Sequence, residues 1–274
     1  MAVAQPARSP SRTTSDLDRV RIVRDEPLPY GVPAYGHPEW LERFPWLVQG
    51  TTARGDSPEP FDLGLFGRTP VGDALARWRL LREAAAARAA VHAPQVHGAR
   101  VITHEIVASG LVLADEADGH ATRVEGALLT VSVADCIPVF VVDPGSRIIA
   151  ALHAGWRGVV AGVLESGLRT ALALGAKDAG SILVHLGPAI CGRCYEVGPE
   201  VHEALGLERP DGPRPVDLRA VAARRLIGAG VAPERITISA HCTRCQGSPF
   251  FSHRAGHTGR QFGFLAVRGD RSGQ

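Results

Sequence analysis

The chain of 274 residues is short of several things. It has one lysine, Lys177, so its basic residues are otherwise all arginine. An enzyme built on a lysine Schiff base has almost nothing to use. It has no excess charge of either sign: 30 Lys+Arg stand against 28 Asp+Glu, for a net charge of +2. A surface built mainly to bind a polyanion needs an excess of cations to displace counterions, so nucleic acid is not an expected partner. No stretch approaches the roughly eighteen continuous apolar residues of a membrane span. The start, MAVAQPARSPSRTT, lacks the apolar core of a secretory signal, so the expected compartment is the cytoplasm. Five cysteines, an odd number in a chain with no export signal, argue against a disulfide framework. Each thiol is then a small buried hydrophobe, a metal ligand or a nucleophile.

What is present suits a packed domain: 45% of residues are hydrophobic and 21% charged. Residues 1–25 are polar, rich in Pro, Ser and Arg and aperiodic, and read as a disordered tail; globular patterning runs over 40–269. The Ala/Leu/Arg run 74–90 predicts a helix with Asp73 near its start. Further helices are expected at 159–174, ended by Gly175, at 199–205, and at 218–227, with Asp217 as N-cap. β-Branched and apolar content predicts strands at 99–103, 127–133, 138–142, 148–152, 182–186, 236–239 and 262–267. The Pro/Gly-rich stretch 208–215 reads as a surface loop. The alternation of elements predicts one domain of α/β or α+β class.

Three short segments each place one metal-ligand type near a strand end: His97 in QVHG, Cys136 in ADCIP and His153 in LHAGW. Two imidazoles and a thiolate leave the fourth position of a tetrahedral zinc site free, which is the catalytic pattern. The spacing, 39 and then 17 residues, fits no short zinc motif, so spacing alone leaves ordinary hydrogen-bonded histidines as the alternative. Two CxxC pairs, Cys191/Cys194 and Cys242/Cys245, compete for metal. Four thiolates would form a closed structural zinc site, but the apolar residues around Cys194 suit buried thiols equally. The turn HAGWRG, between strand and helix, reads either as an anion-binding turn with Arg157 or as a tight turn with Trp156 in the core. It has neither the Walker lysine nor GxGxxG spacing, so no NTPase or dinucleotide fold is supported. The C-terminal run FFSHRAGHTGRQ carries Arg254 and Arg260 in a Gly-bearing loop, which suits an anionic ligand or a solvated loop. Arg54 likewise follows a strand candidate.

QVHG, ADCIPV, HAGWRGVVAGV, GPAICGRCYEVGPEV, CTRC and FFSHRAGHTGRQFG, in that order, resemble the laccase-domain family, also called YfiH-like, multicopper polyphenol oxidoreductase or purine nucleoside phosphorylase. The likeness spans residues 46–267. It implies a single-domain α/β/β/α sandwich, similar in outline to the catalytic domain of the cytotoxic necrotizing factor toxins. It implies one Zn²⁺ per chain on His97, Cys136 and His153, with copper less expected because the His-rich pairs of true multicopper oxidases are missing. It implies phosphorolysis of adenosine, inosine, guanosine and 5′-methylthioadenosine to base and (methylthio)ribose-1-phosphate, and deamination of adenosine to inosine. Purine nucleosides and phosphate are then the partners, with no membrane or nucleic acid, and Arg54, Arg254 and Arg260 are the phosphate candidates. Other readings within the resemblance are a peptidoglycan editing factor that hydrolyses an amide, a thiol hydrolase with Cys136 as nucleophile and His153 as base, and a copper-dependent polyphenol oxidoreductase. Relatives often carry Ser or Gly in place of Cys191, so the four CxxC cysteines are not expected to form a zinc site. The chain departs from the family pattern at Asp62, where Asn is usual, at Phe66, where His is usual, and in a loop one residue shorter before Thr258-Gly259-Arg260.

Overall fold

The least polar segments, ALLTVSV, IPVFVVD and IIAALHA, are buried along almost their whole length. Strands that read this way are covered on both faces. The computed structural model describes residues 16–65 and 67–269. In chain order its strands are β1 (Arg21–Val23), β2 (Glu26–Pro27), β3 (Ala34–Gly36), β4 (Leu47–Thr52), β5 (Ala89–His92), β6 (Val101–His104), β7 (Gly110–Leu113), β8 (Gly119–Thr122), β9 (Ala127–Val133), β10 (Ile137–Asp143), β11 (Ile148–Ala154), β12 (Leu183–Leu186), β13 (Glu196–Val197), β14 (Arg214–Pro215), β15 (Ile236–Ser239) and β16 (Gln261–Val267). The helices are α1 (Pro38–Arg43), α2 (Val71–Ala84), α3 (Trp156–Ala161), α4 (Val163–Ala173), α5 (Pro199–Ala204) and α6 (Leu218–Gly228).

Two seven-stranded sheets stack face to face, one ordered β1-β15-β12-β10-β11-β8-β6 and the other β2-β3-β4-β16-β9-β5-β7. The period-2 alternation of side chains lets each central strand serve two layers. Leu129 and Val131 of β9, Phe140 and Val142 of β10, Ile149 and Ala151 of β11, and Leu265 of β16 fill the space between the sheets. Val139, Val141, Ala150 and Leu152 face the other way, against Leu164 and Leu168 of α4 and Ala222 and Leu226 of α6. On the far side, Leu128, Phe262 and Phe264 pack on Trp78 and Leu81 of α2. The result is the expected α/β/β/α sandwich. Fully burying side chains of this size contributes about 1.5–3 kcal/mol each before entropy is counted. No helix among the described residues is long and apolar enough to cross a membrane.

Strands 127–133 and 236–239 fall where β-branched content places them, and Asp217 caps α6 by accepting from the N–H groups of Arg219 and Ala220. Several boundaries differ. The helix expected over 74–90 stops at Ala84, and Ala89–His92 becomes β5, running parallel between β7 and β9. An alanine-rich run has no strong local reason to stop being helical; pairing in the sheet overrides that preference. The helix expected over 159–174 starts earlier, at Trp156, and breaks at Gly162, whose φ of +91° is a left-handed conformation that glycine adopts without strain. The tail expected over 1–25 lies outside the described residues up to residue 15. Arg21–Val23, however, pair in parallel with β15, and the Asp25 carboxylate is buried against His185 and Ser239. The globular part therefore begins before residue 40. In the stretch 208–215, read as a loop, Arg214–Pro215 pair with Glu196–Val197 as a short ribbon.

Candidate metal centre

The turn Ala134-Asp135-Cys136 carries the chain from β9 in one sheet to β10 in the other, so Cys136 sits at one end of the sandwich. β11 is the antiparallel neighbour of β10, with Pro138 opposite His153, which brings His153 to the same end. The third residue, His97, arrives on the loop after β5. One nitrogen or sulfur from each of His97, Cys136 and His153 lies within 4.8 Å of the others. Cys136 follows Asp135 at φ +86°, and His97 itself has φ +60°. Non-glycine residues in this region are strained, and such strain gathers where side chains must be aimed.

Hydrogen bonds hold that aim. The Asp118 carboxylate, fully buried, accepts from the backbone N–H groups of Val96, His97 and Gly98 at 3.2, 2.9 and 2.7 Å. It also meets His153 Nδ1 at 2.8 Å, which leaves Nε2 of His153 as the ring's free donor atom. The Gln95 side-chain amide bonds both the N–H and the carbonyl of Ser132, pinning the same loop to β9. Asp135 accepts from Thr243 Oγ1 at 2.6 Å and from the Arg254 N–H at 2.8 Å, tying the cysteine turn to two further loops. Burial works against charge on both Cys136 and His153, but their mutual attraction outweighs it. The Cys136 thiol is brought down to about 6 by His153 and His97. His153 is raised to about 9 by Cys136 and Asp118. A thiolate is the form of cysteine that binds metal or attacks carbon.

The donor set fits a metal. Two imidazoles and a thiolate are borderline-soft ligands suited to zinc, and three protein donors leave a position open. A Cβ placed on Gly155 would come within 2.9 Å of Cys136 Sγ and 3.2 Å of His97 Cδ2, so only glycine leaves the donors room. Trp156 is half-buried against the core, and Arg157 stacks over its ring at 4.2 Å, so the HAGWRG turn serves packing as well as the site.

The trio lines a cavity of about 600 Å³ whose wall also includes Tyr195, His253, Arg254 and Arg260. Arg254 lies over the Tyr195 ring at 5.2 Å and donates to the Glu196 carbonyl. The Arg260 N–H is held by Asp62, whose carboxylate also accepts from Gly64 N–H and Thr69 Oγ1. Asp62 thus acts as a loop anchor under Arg260. Phe66, the other departure from the family pattern, lies outside the described residues. The structure does not bring Arg54 to the trio: it lines a separate, larger cavity of about 1720 Å³, and its guanidinium donates to the Ser248 carbonyl.

The expectation that the four CxxC cysteines form no zinc site needs correction, because the fold gathers them into a cluster that could hold a metal. The sulfurs of Cys191, Cys194, Cys242 and Cys245 all lie within 4.8 Å of one another. The physical reason is topological: β12 and β15 are parallel neighbours, so the loops leaving their C-terminal ends meet at one place. All five cysteines are free thiols.

Sequence reasoning missed Asp118, Asp135 and Tyr195. No spacing rule links residue 118 to residues 96–98 and 153. Asp135 and Tyr195 stand inside the quoted motifs, but nothing in the residues around them singles them out.

A family model described as multi-copper polyphenol oxidoreductase laccase matches residues 56–268. A protein named purine nucleoside phosphorylase from Xylella fastidiosa is 34% identical over 232 residues, covering 77% of this chain and 87% of that one. A protein named adenosine deaminase RL5, from an unknown prokaryotic organism, is 37% identical over 148 residues, covering 50% of this chain. The match spans only about half of that relative's length, 56%. Among solved structures, YlmD from Geobacillus stearothermophilus superposes with a TM-score of 0.79 at 26% identity, covering 91% of this chain and 100% of that one. YfiH from Bacillus licheniformis has the same fold, with a TM-score of 0.77 at 23% identity over 87% of this chain and 97% of its own.

Proposed function

Because the chain belongs to the multi-copper polyphenol oxidoreductase laccase family, and relatives in it are named purine nucleoside phosphorylase and adenosine deaminase, we propose that it is a cytoplasmic, zinc-dependent enzyme of purine nucleosides. Its reactions are phosphorolysis of adenosine, inosine, guanosine and 5′-methylthioadenosine, and deamination of adenosine. The observation that carries this reading is the cavity of about 600 Å³ lined by both the His97/Cys136/His153 trio and two arginines, Arg254 and Arg260. A volume of this order suits a small organic ligand. Zinc held by the trio supplies Lewis acidity.

In phosphorolysis the bond from C1′ to the base nitrogen breaks and a phosphate oxygen bonds to C1′. The transition state is cationic at the sugar, so a phosphate held close by is both nucleophile and electrostatic partner. The arginine forks of Arg254 and Arg260 are suited to hold that anion. In deamination water adds at C6 and ammonia leaves. Asp118 keeps His153 oriented in both reactions. Copper-dependent phenol oxidation, which the family description suggests, draws less support: among the described residues the metal-ligand clusters are this trio and a set of four thiols, with no His-rich set for several coppers.

The test incubates purified protein with adenosine, with and without phosphate, and quantifies adenine, ribose-1-phosphate and inosine, alongside Cys136→Ala. Absence of all three products from the wild-type protein overturns the reading.

A second reading is favoured by one observation: Asp118 holds His153 Nδ1 at 2.8 Å, and Cys136 Sγ lies within 4.8 Å of a nitrogen of the same ring, a carboxylate, imidazole and thiol in sequence. Without metal this is the arrangement of a thiol hydrolase, with Cys136 as nucleophile, as amide cleavage on a cell-wall precursor would use. Stoichiometric metal with a Cys136 that resists alkylation until chelator is added rejects it, since a ligated thiolate is not free to attack.

A further inference from the structure

The sulfur distances at the second cluster carry more than proximity. Cys194 Sγ and Cys245 Sγ are 3.8 Å apart, and Cys191 Sγ and Cys245 Sγ are 4.0 Å apart. A tetrahedron of thiolates around zinc, with bonds of about 2.3 Å, has edges of about 3.8 Å. Disulfide sulfurs would be about 2.05 Å apart. The backbone is arranged for the same end. The loops are joined by a bridge between Ala189 and Cys242, and the Thr243 N–H donates to the Ala189 carbonyl. The N–H groups of Cys191 and Arg244 both point at Cys242 Sγ, at 3.2 and 3.4 Å. Such N–H···S contacts offset thiolate charge and orient ligands around a metal. Each CxxC carries an arginine just before its second cysteine, Arg193 and Arg244, and Arg244 donates to the Cys194 carbonyl at 2.9 Å. Four thiolates around a divalent ion leave a net charge of −2, and Arg244, held at the Cys194 carbonyl, puts a cation beside it. Cys194 and Cys242 pack against the edge of the apolar core, yet none of the four thiols is fully buried.

From these contacts we infer that Cys191, Cys194, Cys242 and Cys245 hold a second zinc ion, closed to substrate and separate from the His97/Cys136/His153 centre. Its role is positional. It clamps the loop after β12 to the loop after β15. Thr243, between two of its ligands, donates to Asp135, which precedes Cys136, and Tyr195, which follows Cys194, lines the first cavity.

The experiment combines metal analysis, X-ray absorption and thiol titration on the intact chain. Cys136→Ala should retain one zinc per chain with an all-sulfur shell. Cys245→Ser should lose that sulfur-only signal yet keep the mixed nitrogen and sulfur one. In wild-type protein, which depends on no variant folding, a thiol reagent should gain at least four reactive cysteines only after a strong chelator is added. Three results overturn the inference: Cys136→Ala binding no zinc, or iron in its place; the four thiols reacting fully before chelation; or a disulfide among them in protein kept reduced during purification. None of these depends on nucleoside turnover, so failure of the enzymatic reading leaves this test intact.

Discussion

Asp118 Oδ1 lies 2.8 Å from His153 Nδ1 while the same carboxylate accepts three backbone N–H groups from Val96, His97 and Gly98. One buried carboxylate therefore orients one proposed ligand and shapes the loop that carries another. Asp118→Asn keeps the size and removes the charge. We expect metal affinity to fall roughly ten- to a hundredfold, as loss of such a supporting partner does. Competition against a chromophoric chelator measures it, and unchanged affinity would show that the trio needs no help from Asp118.

Gly155→Ala tests the room left around the donors. The backbone at φ −79°, ψ 170° accepts any residue, so the change acts only through the new methyl, 2.9 Å from Cys136 Sγ. The expected result is a thermal midpoint close to wild type with metal at the first site much reduced. A variant that keeps full metal and activity would place the functional donors elsewhere.

The two rim arginines should separate the reactions. Loss of a charge-assisted hydrogen bond to phosphate costs about 1.5–3 kcal/mol, or roughly ten- to a hundredfold in rate. Arg254→Ala and Arg260→Ala should lower phosphorolysis of adenosine by that factor and deamination by less. Arg54→Ala, in the other cavity, should leave both ratios alone. Equal falls in both reactions would assign Arg254 to nucleoside binding or to holding Glu196 and Tyr195.

Acid sensitivity follows from buried neutral histidines. Burial, aided by nearby histidines, pushes both His37 and His120 down to about 3 in the folded protein. The unfolded chain, with histidines near 6.5, takes up protons first as pH falls. Their contribution to stability is therefore complete above about pH 6.5 and lost as pH falls from there toward 3. Well below 6.5 each group costs about 1.4 kcal/mol per pH unit. Denaturant melts between pH 7 and 5 should show this slope, and His120→Gln should make it shallower by about one such increment. A slope that does not change would mean that His120 is already charged in the folded state.

The chain's own residues identify the family and the trio because ADC and HAGWRG are short segments in which ligand, turn and close packing must coincide. The core strands are legible for a related reason: a strand covered on both faces has to be mostly apolar, as 127–133 and 148–152 are. The break at Gly162 and the end of α2 at Ala84 were less visible, since an Ala- and Val-rich run is locally content as one helix and only packing decides where it stops.

What the tertiary structure alone decided concerns partners far apart in the chain. Asp118 reaches the QVHG loop and His153 because β8 pairs with β11 and begins beside them. Arg54 follows β4 and Arg260 precedes β16, antiparallel neighbours in one sheet, yet the two open on different cavities, which no residue pattern near them records. The four cysteines converge because two parallel strands deliver loops 51 residues apart to one point. Local sequence encodes side-chain chemistry and preferred backbone shape; which loops meet is set by strand order and direction, and these are fixed only when the whole sandwich packs.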